Sequence, residues 1–439
     1  MIAAVLTLGG LLTAAGVGAA HSQDADPPRS SAWLSLLPDG EAKRKFILDC
    51  TGCHQFDQTI ARPGGSPRTE AQWVEAVTRM LGYAGATTSF PVIAADRDAK
   101  ATAAWLARNL RAGEVADLPV PASRRADVRE YLMPVAQDLP HDLVVEPGGD
   151  VLITGMFTHR LYRLKPEAGA LSEVEIPVVP SANPRAIDRD AEGRTWLVLG
   201  QPKRLAMARA DTGWRSWDVG VYPHSLAVAP DGKVWFNGHF TREPEIIGFV
   251  DAARDTVVTY EVPGHPTLAK GPGGPIPYEI RAAPDGRIWL GELQGNRLVS
   301  LEPKTGKFQT YTMPTPHSGP RRFDVDAKGV LWIPAYSANS LVRLDPATGK
   351  FKEIPLPVKD AVPYVARVDP RDGAIWIGTS AADALLRYDP RAERFESFPL
   401  PSRGALVRHL AVDPQSGAVW LAYGASPGIP ARVAKLTVK

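Results

Sequence analysis

The sequence predicts an all-β seven-bladed β-propeller preceded by a small all-α domain. The main observation is a turn ending in glycine that recurs seven times and is followed, three residues later, by tryptophan in six copies and leucine in one. The later copies lie about 44 residues apart, a period typical of four-stranded propeller blades. The 39 glycines and 41 prolines favour short strands joined by turns. The formal net charge of +2 gives no reason to expect nucleic acid as a partner.

The chain begins with an apolar segment, residues 1–20, whose last residues are small. This pattern is typical of a signal peptide and its cleavage site, although no Lys or Arg precedes the apolar run. An uncleaved membrane anchor is the alternative, because about 19 apolar residues are barely enough to span a bilayer. We therefore expect export to the periplasm, with a membrane as partner only if the segment stays attached. A polar linker, 21–37, follows.

Both cysteines of the chain lie in the stretch Cys50-Thr51-Gly52-Cys53-His54. Two thiols at this spacing can add to the two vinyl groups of one haem, and the adjacent imidazole can then bind the iron. A redox dithiol and half of a zinc site are the alternatives, but a zinc site needs two more ligands and the chain has no other cysteine. The stretch predicts one covalent haem c held by Cys50 and Cys53, with His54 as a metal ligand.

The segment around this motif has helical spacing. Apolar residues recur at intervals of three and four over 70–81 and again over 98–110, where Asp98 is a plausible N-cap. A first helix over 41–50 carries the motif at its end. Together they predict three helices within residues 38–112.

Three helices around such a motif resemble a class I cytochrome c domain. The matching features are the cysteine motif, the run Trp73-x-x-x-Val77-x-x-Met80 and the terminal helix with Trp105. The resemblance implies electron transfer and a methionine as sixth iron ligand, for which Met80 is the candidate. Met133 competes, although the repeat places it in a strand, and His141 is a further alternative.

After a second linker at 113–125, the propeller is expected over 126–439. The chain ends on the third strand of its last repeat, and an unassigned strand, 128–134, precedes the first. We expect this N-terminal strand to complete the last blade, because that closes the ring and removes both sheet edges. An open solenoid is the alternative.

One polar or aromatic position recurs at the start of the innermost strand of every repeat. It lies eleven residues before the marker tryptophan or leucine, or twelve in the last two copies, and six of the seven follow a proline. Equivalent positions in a ring point at one mouth of the central channel, and we call these seven residues the collar: His141, Arg185, His224, Tyr278, Arg321, Tyr364 and Arg408. Arginine can clamp an anion while tyrosine and histidine can stack on a flat ligand or move protons. His141, Arg185, Arg321, Tyr364 and Arg408 are thus candidates for binding an anionic or aromatic molecule. A water-filled channel that merely tolerates polar residues is the alternative.

One repeat carries an acid, Glu292, three residues after its tryptophan. The run from Pro223 to Phe236, with Glu292 and Asn296, resembles the streptogramin B lyase (virginiamycin B lyase) family. The resemblance implies a seven-bladed propeller that opens a lactone by elimination, using Mg²⁺ with histidines and glutamates. His224 and Glu292 match family site residues, whereas Ile276-Pro277-Tyr278 stands where the family has a catalytic Glu-x-His. The candidate catalytic residues are therefore His224, Tyr278 and Glu292.

Three functions stay open at this point. The first is an exported electron-transfer protein with a protein electron donor or acceptor, whose propeller binds a small molecule and either oxidises it or only holds it. The second is a Mg²⁺-dependent lyase or hydrolase with an appended haem domain. The third is a binding or sensing module without turnover.

Overall fold

The computed structural model describes residues 26–176, 181–209, 213–239, 245–268, 274–424 and 429–439. The predicted signal peptide at 1–20 lies outside these residues. In the described part of the chain, no helix is long and apolar enough to cross a membrane.

The N-terminal part is helical, as the spacing of its apolar residues predicts. Its elements are α1 Ser30–Leu34, α2 Glu41–Cys50, α3 Gln58–Ala61, a 3-10 turn Pro63–Gly65, α4 Glu70–Ala84 and α5 Ala99–Asn109. Helix α2 has the predicted bounds, and the Asp98 side chain caps α5 by accepting a hydrogen bond from the Ala101 amide at 2.7 Å. Helix α4 runs three residues beyond the expected 81 and ends where the Gly85 amide bonds the Leu81 carbonyl.

Aromatic side chains hold these helices together. The Phe46 ring on α2 lies 5.1 Å from the Phe56 ring and 5.6 Å from the Trp105 ring on α5, measured between centroids. Phe56 in turn stacks on Trp73 of α4 at 6.2 Å. Such edge-on and offset contacts add to the burial of apolar area. The helical segment therefore has its own core, built from the faces that carry the periodic apolar residues.

The remaining described residues form 28 strands. They are β1 Ala126–Leu132, β2 Pro140–Val145, β3 Val151–Gly155, β4 Arg160–Lys165, β5 Ala170–Val174, β6 Pro184–Arg189, β7 Thr195–Leu199, β8 Arg204–Arg209, β9 Gly213–Asp218, β10 Pro223–Val228, β11 Val234–Gly238, β12 Ile246–Asp251, β13 Thr256–Glu261 and β14 Pro277–Ala282. The second half comprises β15 Ile288–Glu292, β16 Arg297–Glu302, β17 Lys307–Thr312, β18 Asp324–Val325, β19 Leu331–Ala335, β20 Ser340–Asp345, β21 Lys350–Pro355, β22 Pro363–Val368, β23 Ile375–Thr379, β24 Ala384–Asp389, β25 Arg394–Pro399, β26 Val407–Val412, β27 Val419–Tyr423 and β28 Arg432–Val438.

These strands form seven antiparallel four-stranded sheets, so the predicted seven-bladed propeller is confirmed. Six sheets are consecutive meanders, and the seventh has the order β1-β28-β27-β26. Strand β1 pairs with β28 from Ala126 opposite Val438 to Leu132 opposite Arg432. The N-terminal strand thus completes the last blade, as expected. The first and last strands of the propeller pair with each other, which closes the ring. Met133 follows β1 and is buried in the apolar cluster of that blade.

The helical domain packs on one face of the propeller rather than moving on a flexible tether. One apolar cluster contains Trp33, Phe46 and Leu48 together with the propeller residues Tyr336 and Val407. The segment 21–37, expected as a linker, contains helix α1. This helix is ordered by its contacts: its side chains are buried, and its Ser31 amide donates a hydrogen bond to the Ala381 carbonyl of the propeller at 2.8 Å. The second linker also contacts the propeller, where the Ser123 amide bonds the Ser397 carbonyl of β25 at 2.9 Å.

A buried ion pair crosses this domain interface, and its removal should be costly. Lys43 Nζ lies 2.7 Å from Asp360 Oδ1, and the two side chains are 5% and 9% exposed. Breaking a buried pair by removing one partner costs about 3–5 kcal/mol, because the other charge stays buried. We expect Lys43→Met to lower the melting temperature measurably. Lys45→Met is the matched control, since its 3.6 Å pair with Glu41 on the same helix is exposed and contributes about 1 kcal/mol or less. Equal effects of the two substitutions would contradict this account of the interface.

Candidate functional site

All seven collar residues line one cavity of about 330 Å³ at a mouth of the propeller channel. In five blades the collar residue is the second residue of the innermost strand, directly after proline, as in Pro140-His141. The pairing register shifts next to these residues, for example between Pro223 and Leu226. A bulge of this kind turns a side chain out of the regular alternation. The bulges therefore let the collar side chains turn toward the channel.

The helical domain forms the roof of this cavity. Gly52 and Cys53 of the cysteine motif line it, together with Leu48 and Asp49 from the end of α2. Arg408 Nη1 donates a hydrogen bond to the Gly52 carbonyl at 3.0 Å, and Nη2 donates one to the Cys53 carbonyl at 2.5 Å. The cysteine motif and the collar, which are far apart in the sequence, thus belong to one site.

Gly52 lies very close to a propeller side chain, and a larger residue there would have to displace it. A Cβ atom there would collide with the Arg321 guanidinium. The adjacent Thr51 hydroxyl forms a 2.8 Å hydrogen bond with the Tyr336 hydroxyl. The motif is therefore fitted to the propeller surface at two consecutive residues.

A second ring of cavity residues was missed in the sequence. His239, Leu293 and Met156 line the cavity, and each lies four residues after its marker tryptophan or leucine. Tyr336 occupies the same repeat position. The position four residues after the marker recurs in every repeat, so it could have been found in the sequence. The residue types at this position vary more than those of the collar.

The histidines of the cavity form a compact, neutral group. The His224 ring lies 4.2 Å from the His239 ring and 4.6 Å from the Tyr278 ring, measured between centroids. Burial, together with nearby positive charge, holds the pKa of His141, His224 and His239 well below the usual value. Because the Tyr278 carbonyl accepts a 2.7 Å hydrogen bond from His224 Nδ1, the proton lies on Nδ1 and Nε2 is a potential acceptor.

The arginines of the cavity are buried cations with few anionic partners. Arg321 is 4% exposed, its Nε and Nη1 have no hydrogen-bond partner among the described residues, and Arg408 Nε has none either. The Arg321 guanidinium lies over the rings of Tyr336 and Tyr364 at 4.0 and 4.3 Å from their centroids. Arg185 donates to the Tyr222 hydroxyl at 2.8 Å. Such cations give the cavity a positive charge, which favours a bound anion.

The acid in the cavity lining is paired with a cation outside the collar. Asp49 is the one acidic residue that lines the described cavity. It accepts hydrogen bonds from Arg97 Nε at 2.7 Å and from Gln294 Nε2 at 2.6 Å. The cavity therefore keeps a positive balance and should select anionic ligands over cationic ones.

A charged network separates this cavity from the opposite mouth of the channel. Arg322, 1% exposed, donates to Asp142 Oδ1 at 2.6 Å, and the same oxygen lies 2.7 Å from His141 Nδ1. Farther along, Glu279 pairs with Arg281 at 2.6 Å and with Arg367 at 3.1 Å. These ions are paired with one another, so they form a floor rather than a second anion site.

The structure places Glu292 outside the cavity. It is the last residue of β15, fully buried, and directly opposite Arg297 of β16. Arg297 Nε and Nη2 donate to its two carboxylate oxygens at 2.6 and 2.8 Å, and Nη2 also bonds the Pro263 carbonyl. His224, by contrast, lines the cavity. The two residues that match lyase site positions are therefore not gathered around one ligand.

This geometry predicts a structural effect for Glu292. Glu292→Gln takes the paired carboxylate away from the buried Arg297 cation and leaves Glu245, whose pKa Glu292 raises, as a nearby acid, so it should cost up to about 3–5 kcal/mol of unfolding free energy. Chemical denaturation measures this loss, and the double variant Glu292→Leu/Arg297→Leu should recover part of it. A Glu292→Gln protein of unchanged stability would instead favour a chemical role for this residue.

The residues predicted to hold haem are positioned as follows. Cys50 ends α2 and is half-buried, whereas Cys53 is exposed, and both are free thiols. Burial raises the pKa of the Cys50 thiol to about 12. The His54 Nδ1 atom lies 2.9 Å from the Gln55 carbonyl and therefore carries the proton. Met80 is half-buried on α4. Within the described ranges no three His, Cys, Asp or Glu side chains converge as a metal-binding group.

Comparisons with known proteins concern the propeller. A model of the virginiamycin B lyase family matches residues 268–435. The structure of virginiamycin B lyase from Staphylococcus aureus is 19% identical, with a TM-score of 0.62, and the match covers 72% of this chain and 100% of that one. A streptogramin B lyase is 20% identical, with a TM-score of 0.62 and coverages of 72% and 98%.

A hydrazine synthase chain from Kuenenia stuttgartiensis is also similar. It is 14% identical, with a TM-score of 0.54, and the match covers 70% of this chain and 98% of that one. A search among curated proteins found no match. The propeller is thus virginiamycin B lyase-like in fold. At these identities fold similarity does not transfer a reaction.

Proposed function

We propose that this chain is an exported c-type haem protein whose propeller binds a small anionic or aromatic molecule and oxidises it. The observation that carries the proposal is that Gly52 and Cys53 line the same cavity as the seven collar residues. A ligand held by the collar would therefore lie beside the segment that attaches haem. Export through the predicted signal peptide agrees with covalent haem attachment outside the cytoplasm.

The residues of the cysteine motif fit haem. Both thiols are unpaired, and a His54 ring whose Nδ1 proton points at a backbone carbonyl presents Nε2 for a metal, which is the usual arrangement of metal-binding histidines. Cys50 and Cys53 would hold the two thioether bonds, His54 would bind the iron, and Met80 is proposed as the sixth ligand. Met133 is less suited, since it is buried within a blade. When bound, haem would supply a one-electron acceptor.

The residues of the cavity would bind and orient the ligand. Arg321 and Arg408 line the cavity, and their guanidinium groups are the candidates for holding an anion. The neutral rings of His224 and His239, with Tyr278, form an aromatic wall on which a flat ligand can stack. The helical roof and the charged floor limit the access of water. A protein electron donor or acceptor is the expected second partner.

The test uses benzoate as a probe anion and the reduction potential of the matured holoprotein as readout. An anion next to the haem favours the ferric state, so saturating benzoate should lower the potential by an amount on the order of tens of millivolts. Arg215→Met, which alters an exposed arginine that stacks on Trp217 outside the cavity, should leave the shift intact. A potential that does not respond to bound benzoate, or no binding of benzoate, would contradict a shared site. Anaerobic titration with carboxylates and phenols then identifies compounds that reduce the haem.

The family match at residues 268–435 favours a second candidate, a Mg²⁺-dependent lyase. His224 in the cavity supports it, whereas the pairing of Glu292 with Arg297 does not. Lactone opening that needs Mg²⁺ and persists without haem would support the lyase. A benzoate-dependent potential without turnover of any compound would instead indicate a binding or sensing module.

A further inference from the structure

Two tyrosine hydroxyls meet in the middle of the cavity wall. Tyr278 Oη and Tyr364 Oη are 2.5 Å apart, and the two residues are 6% and 1% exposed. Arg408 Nη1 donates to Tyr364 Oη at 3.2 Å. The Tyr364 oxygen can thus accept two hydrogen bonds at once, one from Tyr278 and one from a cation. That environment stabilises a negative charge on this oxygen.

The charged groups around the pair are mainly cationic. Arg321 lies over both rings, at 5.0 Å from the Tyr278 centroid and 4.3 Å from the Tyr364 centroid. Arg322 and Arg408 add positive charge next to Tyr364. The remaining titratable neighbours in the described structure are the neutral His224 and His239 beside Tyr278, and Tyr336, which packs against Tyr364. No carboxylate of the described chain contacts either tyrosine hydroxyl.

We propose that Tyr364 is the proton acceptor of this cavity and that the ligand it serves is a phenol. The inference rests on the proposed function, in which the cavity binds the molecule to be oxidised. The ligand O–H bond breaks, its oxygen keeps the electron pair, and the proton forms an O–H bond with Tyr364 Oη. The negative charge passes from Tyr364 to the ligand oxygen, and the adjacent Arg321 and Arg408 cations stabilise it. A phenolate loses an electron far more readily than a phenol, so this proton transfer prepares the ligand for oxidation.

The direction of the pKa shifts agrees with this assignment. Burial alone would raise the pKa of Tyr364, but Arg321, Arg408 and Arg322, with the hydrogen bond from Tyr278, lower it to about 8. Burial raises the pKa of Tyr278. The pair therefore loses its first proton from Tyr364. Below pH 8 the pair is neutral, and above pH 8 it carries one negative charge.

Two probes should respond to this charge with opposite signs. Phenol needs the ionised pair as acceptor, so its affinity should rise about tenfold per pH unit below pH 8, and binding at pH 7 should release close to one proton. Benzoate has no proton to give and competes with the tyrosinate for Arg321, so its affinity should fall as pH rises above 8. Calorimetry of the holoprotein in two buffers of different ionisation enthalpy measures both the affinity and the protons.

The Tyr364→Phe variant should bind benzoate at every pH and release no proton on binding phenol. Tyr336→Phe is the matched control, because Tyr336 also packs on Arg321 but its hydroxyl bonds Thr51, and it should keep the proton release. Phenol binding without proton release in the unaltered protein would overturn the proposal, as would a failure of phenol to bind or proton release that survives Tyr364→Phe. Affinity and proton release are measured without electron transfer. The proton-acceptor role of Tyr364 can therefore be tested even if the haem proposal fails.

Discussion

A protein in which Cys50 and Cys53 are both replaced by alanine should carry no covalently bound haem. Each thiol supplies one thioether bond, and the two together are the only cysteines in the sequence. The effect is therefore all or none. The measurement is haem that stays with the chain after denaturation, for protein produced in a host that matures c-type cytochromes. Each single substitution should keep one thioether bond and shift the α-band of the reduced haem.

Thr51→Val is the matched control for this pair of substitutions. It changes a residue inside the motif and removes the 2.8 Å hydrogen bond to Tyr336, but it keeps both thiols and His54. It should retain covalent haem. If the exported, unaltered protein binds zinc or forms a disulfide in place of haem, the motif has one of the alternative roles and the electron-transfer proposal fails with it.

The propeller could be predicted from the sequence because the same turn and marker residue recur in every blade. Seven copies of one turn and one marker residue reveal the period even where single copies vary, and counting strands places the closing strand β1 beside β28. The collar followed from the same repetition, since equivalent strand positions must face the same channel. Repetition could not reveal the bulges, such as the one after Pro223, that accompany the collar residues.

The domain interface could not be predicted, because each of its contacts occurs once. The Lys43–Asp360 pair and the Arg408 bonds to Gly52 and Cys53 join residues hundreds of positions apart and follow no period. Glu292 is a different case. Family resemblance suggested chemistry for it, yet Arg297, five residues later across a tight hairpin, is its cross-strand partner, and that pairing was readable in the sequence.

The side chains of Arg321 and Arg322 are neighbours in sequence and both are buried, yet their replacement should destabilise the fold to different extents. Arg322 pairs with Asp142 at 2.6 Å, so Arg322→Met leaves that carboxylate buried and should cost about 3–5 kcal/mol of unfolding free energy. Arg321 forms no ion pair among the described residues, and two of its nitrogens lack acceptors. Arg321→Met removes a cation that stacks on the rings of Tyr278, Tyr336 and Tyr364 but leaves no carboxylate unpaired, so it should lower the unfolding free energy less than Arg322→Met does.

The same substitution at Arg321 should impair ligand binding. A charge-assisted hydrogen bond contributes about 1.5–3 kcal/mol, so benzoate affinity should fall roughly 10- to 150-fold. Arg215→Met controls for the loss of a stacked arginine, because Arg215 lies 5.0 Å from the Trp217 centroid, outside the cavity, and it should not change benzoate affinity. A destabilised Arg321→Met protein that still binds benzoate normally would show that Arg321 serves the fold. A protein that stays stable but binds benzoate more weakly is the result expected if Arg321 holds the ligand.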